Sequence, residues 1–222
     1  MSEGYSKGDI VVLQGNALVR RRPELYLGPL PDPRVLNRLI EGALCLSFDD
    51  AAGGCCTEIC VQFDKTGVVS LRDNGPGLPM DPGSDGVPVL QRLLTTLYAC
   101  REAKKHQKIK SIACQATGLV VVNCLSEWLH IRVRHAGACW FQEYRAGEPV
   151  TPFRREGDTE TTGLDMTFRP DAALLGAMEF DPLALVAWLP TVGIECKALD
   201  LQLGEGNMPT IVHFRELRPV PE

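Results

Sequence analysis

The 222 residues contain no apolar run approaching the ~20 residues that a bilayer-spanning helix needs. They also lack an internal repeat, a low-complexity linker and any long block of one charge outside Arg101–Lys110. The first ten residues are polar and mixed, the pattern expected of a chain without a secretory leader. None of the nine cysteines sits in a CxxC or Cys/His spacing suited to zinc, and nine is an odd number for a disulfide framework. They read as reduced thiols of a cytoplasmic protein, and the adjacent Cys55 and Cys56 as small buried hydrophobes. The net charge of -5 argues against a surface built to hold nucleic acid directly. A membrane, zinc and a nucleic acid are thus all unpromising partners.

What the chain does have is a hydrophobic fraction of 45%, enough to bury a core, with 16 prolines punctuating it. Its most informative stretch is Val68–Pro79, VVSLRDNGPGLP. The alternation from Val68 to Asp73 predicts a strand with one buried face that ends in an acid. Asn74-Gly75-Pro76-Gly77 then stops it, and two glycines two apart let the backbone turn tightly and be approached closely. A carboxylate at the rim of a sheet therefore faces a concave turn.

Taken in order, residues 1–13 form an arm that turns apolar at Ile10–Leu13, and Gln14–Arg22 suits a short basic helix halted by Pro23. Tyr26-Leu27-Gly28 reads as a turn. Val35, Leu36, Leu39, Ile40, Ala43 and Leu44 recur at helical spacing, with Asp49-Asp50 near the helix end and Gly53-Gly54 beyond it. Thr57–Phe63 predicts a strand joined to the organising strand by a hairpin over Asp64–Gly67. Val87–Ala99 and Ile112–Leu125 predict further helices. Between them, Arg101–Lys110 carries six basic side chains against Glu102 and reads as a solvated loop. Trp128–Arg134 and Cys139–Arg145 predict a hairpin around His135-Ala136-Gly137, and Leu164–Arg169 another strand. Asp181–Leu189 predicts a short helix, Glu195–Leu203 and Thr210–Phe214 two closing strands, and the tail 215–222 is expected to fray. One α+β domain over 14–214, a two-layer sandwich with an antiparallel-rich mixed sheet and helices on one face, accommodates this order.

The segments VRRRPELYLG (Val19–Gly28), DDAAGG followed by TEICV, DNGPGLP, VVVNCLSEWL (Val120–Leu129) and TTGLDMTFRP (Thr161–Pro170) together resemble the ATP-binding domain of the DNA gyrase B subunit and its relatives in the GHKL group. The resemblance spans residues 5 to 205 and implies the GHKL sandwich. In that family a helix glutamate activates the attacking water, and an asparagine four residues on holds magnesium. The corresponding positions here are Gly42 and Leu46, which offer neither a base nor an oxygen to a hard cation. Glu41 is adjacent, but one residue turns a helix by about 100°. The family's glycine-rich phosphate clamp reads Ile112-Ala113-Cys114-Gln115-Ala116-Thr117-Gly118, where Gly118 alone of the clamp glycines is kept.

The adenine side is better kept. The resemblance makes Asp73 the base-recognising carboxylate and Gly75, Gly77 and Pro79 its floor. It makes Thr162 of Thr162-Gly163 a second contact, although Leu164 replaces the hydroxyl residue expected next. Pro76 and Phe141 stand for arginines common at the pocket mouth. The implied ligand is ATP or another adenine-containing molecule, held weakly and without magnesium. Tyr5 and Ile10 match the arm residues with which gyrase B proteins clasp a second copy, implying a gyrase B-type partner or self-pairing. On this reading the lysine that gyrase-like enzymes bring from a second domain is also expected to be missing. Three functions stand open: a degenerate, non-hydrolysing ligand-binding relative, a module that engages gyrase-type subunits, and an ATPase with rearranged residues.

Overall fold

The computed structural model describes residues 15–78, 80, 86–97 and 118–220. The arm with Tyr5 and Ile10, Pro79, the basic stretch and the clamp up to Thr117 lie outside those residues. Helix α1 spans Asn16–Arg21 and ends before Pro23, as its ring requires. A one-turn helix, α2 (Glu24–Leu27), takes the place of the expected turn at Tyr26, and Gly28 closes it at φ +79. Helix α3 is the long one, Val35–Ala52, ended by Gly53 and Gly54. Its first half buries one stripe, but from Gly42 to Phe48 it is buried on every side, because it runs beneath the sheet with other helices around it.

Strands β1 (Glu58–Phe63) and β2 (Val69–Asp73) form the first hairpin. The Asp64 carboxylate holds its turn by accepting from the amides of Thr66 at 2.8 Å and Val68 at 3.0 Å. Among the described residues two short helices follow, α4 (Val89–Thr95) and α5 (Leu119–Cys124). Then come β3 (Ser126–His135), β4 (Ala138–Arg145), the two-residue β5 (Glu148–Pro149), β6 (Arg154–Asp158) and β7 (Gly163–Pro170). Helices α6 (Ala172–Leu175) and α7 (Pro182–Trp188) lead to β8 (Ile194–Gln202) and β9 (Thr210–Pro219). Strand β9 runs to Pro219 rather than Phe214, so Arg215, Leu217, Arg218 and Pro219 of the segment expected to fray are paired with β8.

The strands form one sheet in the order β5-β4-β3-β7-β2-β1-β9-β8, with β6 also on β4. Every described pairing is antiparallel, where a mixed sheet was expected. The reason is the position of β7. The helical crossover from β2 to β3 makes those two strands run the same way, and β7 lies between them, antiparallel to both. One sheet face is apolar, carrying Ile59, Val61, Leu71, Ile131, Met166 and Phe214 at no more than 4% exposure, and the helices cover it. Phe48 of α3 meets Phe214 of β9 and Trp188 of α7 with ring centroids 6.4 Å and 5.2 Å away. The other face is polar and open, and the pleat puts Cys60, Arg72, Arg132, Asp165 and His213 on it.

Candidate functional site

Asp73 ends β2 on the covered face, 7% exposed, opposite Ile59 of β1. A carboxylate there would be costly without donors, and it has three. The Ser47 hydroxyl of α3 donates to Oδ2 at 2.5 Å, while the amides of Gly75 and Leu164 donate to Oδ1 at 3.0 and 2.9 Å. Burial pushes the Asp73 pKa up, and Ser47, Leu164, Gly75 and the Arg134 charge oppose it in that order. Since a carboxylate offers about four lone-pair sites, one on Oδ2 is left for a ligand donor.

Of the two predicted glycines, Gly77 is required for reasons internal to the protein, and Gly75 sits in a tight space. A Cβ on Gly75 would stand 3.1 Å from Oδ2 of Asp50 and 3.4 Å from Oδ1 of Asp73, so its bare backbone lies between two carboxylates. Gly77 sits at φ +71, where a Cβ would be 2.4 Å from the Arg134 carbonyl oxygen. The loop after β2 therefore packs directly on the β3–β4 hairpin. His135 closes the same contact: its Nδ1 lies 2.9 Å from the Pro76 carbonyl oxygen. A carbonyl can only accept, so Nδ1 carries the proton, and in the neutral ring Nε2 is left as an acceptor.

Arg134, which the sequence did not single out, touches this site from the open face. Its Nη2 donates to the main-chain oxygens of Asp73 at 3.1 Å and Thr162 at 3.4 Å, and its Nη1 pairs with Asp165. Gly163 makes room for it at φ +131. Thr162 is exposed, and with Arg72, Arg134 and His213 it lines a cavity of about 470 Å³ on the open face. Leu164 serves Asp73 through its amide, a contact to which the missing hydroxyl is immaterial. Gly118 is buried at φ +77 at the head of α5, a helix packed on α3.

On α3, Gly42 is buried and Leu46 is 8% exposed. Glu41 faces away from Asp73, into a cavity of about 590 Å³ shared with Pro31, Asp32, Arg34, Arg38 and Asp181. Burial raises its pKa against the pull of Arg38. The helix is regular from Val35 to Ala52, so no bulge swings Glu41 toward the β2 loop. Phe141 lies on the opposite sheet face from the Asp73 side chain. It is buried on the open face, with the guanidinium carbons of Arg132 and Arg154 at 4.6 and 5.0 Å from its ring centroid. The side chain that faces the loop from β3 is His135. Among the described residues no three His, Cys, Asp or Glu side chains gather as a metal site, and no helix is long and apolar enough to cross a membrane.

No family model matches the chain. It is similar to the DNA gyrase B subunit of Thermotoga maritima, 37% identical over 181 residues, which cover 81% of this chain and 28% of that protein. It is likewise similar to the DNA topoisomerase 4 B subunit of Staphylococcus aureus, 33% identical over 184 residues, with the same two coverages. The chain is therefore homologous to a part of these proteins and spans little more than a quarter of their length.

Proposed function

We propose that this chain is a gyrase B-like GHKL domain that binds a flat adenine-type ring at Asp73 and does not hydrolyse ATP. The observation that carries the reading is the state of the Asp73 carboxylate. It is buried and fixed by three donors, with one acceptor site unspent, which suits the exocyclic amino group of a ring. The positions at which the resemblance puts the base and the magnesium ligand are Gly42 and Leu46, while Glu41 belongs to a different cavity. Recognition thus has residues to perform it, and water activation has none at those positions.

Calorimetry with adenosine, ADP and ATP, beside a turnover assay with magnesium, tests the reading. Adenosine is expected to bind, the phosphates to add little, and turnover to stay at background. Asp73→Asn replaces an acceptor oxygen by a donor NH₂ and should weaken adenosine by about 1 to 3 kcal/mol. Steady magnesium-dependent turnover abolished by Glu41→Ala would sink the proposal.

A second reading is favoured by the spacing of Tyr5 and Ile10 before VRRRPELYLG. On it, the arm pairs this chain with a gyrase B-type protein. Sedimentation of the chain mixed with such a protein should show a complex lost on Ile10→Asp, and an arm-independent complex would end this reading.

A further inference from the structure

The open face of the sheet reaches through to the candidate pocket at one place. Arg134 and Asp73 are not on neighbouring strands, because β7 runs between β3 and β2. The arginine crosses the first residue of β7. That residue is Gly163, where a Cβ would lie 2.1 Å from the Asp73 oxygen and 2.6 Å from Nη2 of Arg134. Other arginines on this face, Arg132, Arg169 and Arg215, pair with acids and stay 46–48% exposed. The Arg134 side chain is 9% exposed, and Nη2 goes to main-chain oxygens instead. Its charge is balanced by Asp165, whose other oxygen lies 3.5 Å from Nε of Arg72. Burying a guanidinium this way demands the acid partner; Nη1 and Nη2 are spent, while Nε is buried without a hydrogen-bond partner among the described residues.

The contacts fall on three residues of the loop, Asp73, Pro76 and Gly77. Nη2 of Arg134 holds the Asp73 carbonyl, Nδ1 of His135 holds the Pro76 carbonyl, and the Arg134 carbonyl packs on Gly77. We infer that Arg134 is a positioning residue: with His135 it braces the Asp73–Gly77 loop from behind the sheet, so that the Asp73 carboxylate keeps its remaining acceptor site aimed at the ligand's amino group. This deepens the ligand-binding reading and rests on it for its ligand half, whereas the brace itself is a property of the free protein.

Amide hydrogen exchange tests the brace without any ligand. The reporters are the amides of Gly75 and Leu164, both given to Asp73. Arg134→Gln should speed their exchange about tenfold by freeing the loop for local opening, with Val61 and Ile131 in the sheet interior unchanged. Arg134→Lys keeps a charged donor and should restore part of the protection. Asp165→Asn, which removes the balancing charge, should give a smaller effect of the same kind. Unchanged protection of Gly75 and Leu164 in folded Arg134→Gln would overturn the inference. Should that variant not fold, unchanged protection in Asp165→Asn overturns it, and faster exchange there supports it. Adenosine calorimetry on the same proteins separates the two proposals. Weaker binding in Arg134→Gln, partly rescued in Arg134→Lys, supports both, while a wild-type protein that ignores adenosine defeats the ligand reading and leaves the exchange result to decide the brace.

Discussion

Ser47→Ala isolates the contact on which the Asp73 carboxylate most depends. The hydroxyl stands 2.5 Å from Oδ2, both residues are buried, and Ser47 is the foremost of the donors that pull the Asp73 pKa back down. A hydrogen bond to a charged group contributes about 1.5 to 3 kcal/mol, and alanine returns about 0.5 kcal/mol of helix propensity in α3. The expected loss is therefore about 1 to 2.5 kcal/mol at pH 8. The sign of its pH dependence follows from the raised pKa. Between its ordinary value of 3.8 and its folded value, Asp73 binds more protons folded than unfolded, so its contribution to stability falls as pH rises through that window. Removing Ser47 raises the folded value further and extends the window upward. The variant should thus be most deficient at pH 8, and the deficit should shrink as pH falls and Asp73 takes up its proton, because a protonated Asp73 keeps only the weaker, neutral version of the bond. Urea unfolding of both proteins at pH 8 and pH 4.5, either side of the sequence pI of 5.5, measures this difference directly. A loss that is the same at both pH values, or larger in acid, would refute the charge-assisted bond.

Gly163→Ala should be among the most damaging single-methyl changes available. It adds strain at φ +131 to a Cβ 2.1 Å from the Asp73 main-chain oxygen, for a loss of about 3 kcal/mol or more. Thermal unfolding within a degree of wild type would contradict the close crossing of Arg134 over β7. The adjacent cysteines should behave oppositely toward an alkylating reagent at pH 8. Cys55 is exposed, whereas Cys56 is fully buried and its thiol is pushed up to about 12, by burial first and then by the Asp73 charge. Peptide mass spectrometry should find Cys55 labelled in the native protein and Cys56 labelled only after denaturation. Equal labelling of the pair before denaturation would show the Asp50–Glu58 connection to be open.

Elements whose own residues carry the periodic signal were legible. The stripe from Val35 to Leu44 and the Gly53-Gly54 stop gave α3 nearly to its ends, and His135-Ala136-Gly137 gave the β3–β4 hairpin, with Ala136 and Gly137 at φ +48 and +79 as a tight turn needs. Strand β6, Arg-Arg-Glu-Gly-Asp, has no apolar alternation, because it lies at the sheet margin with β4 as its partner. The far half of β9 was lost to the same polarity: Arg215, Glu216 and Arg218 look like a tail, yet Leu217 is buried between Thr57 and β8.

The site divides along the same line. Asp73, Gly75 and Gly77 were readable because one strand and its turn supply all three. Ser47 left one usable trace, a hydroxyl inside the apolar run Leu44–Phe48, since a serine buried on all sides of a helix must find a partner. Arg134 and His135 left none that period or spacing could register. Alternation correctly sends Arg134 to the open face, away from the Asp73 side chain. It reaches Asp73 only because β7 opens with a glycine and places β2 one strand further on. A pocket of this kind has a front written in contiguous motifs and a back assembled by strand order. On the ligand-binding proposal the motifs set what the front recognises, and on the brace proposal the rigidity with which Asp73 is presented depends on a residue of the opposite face.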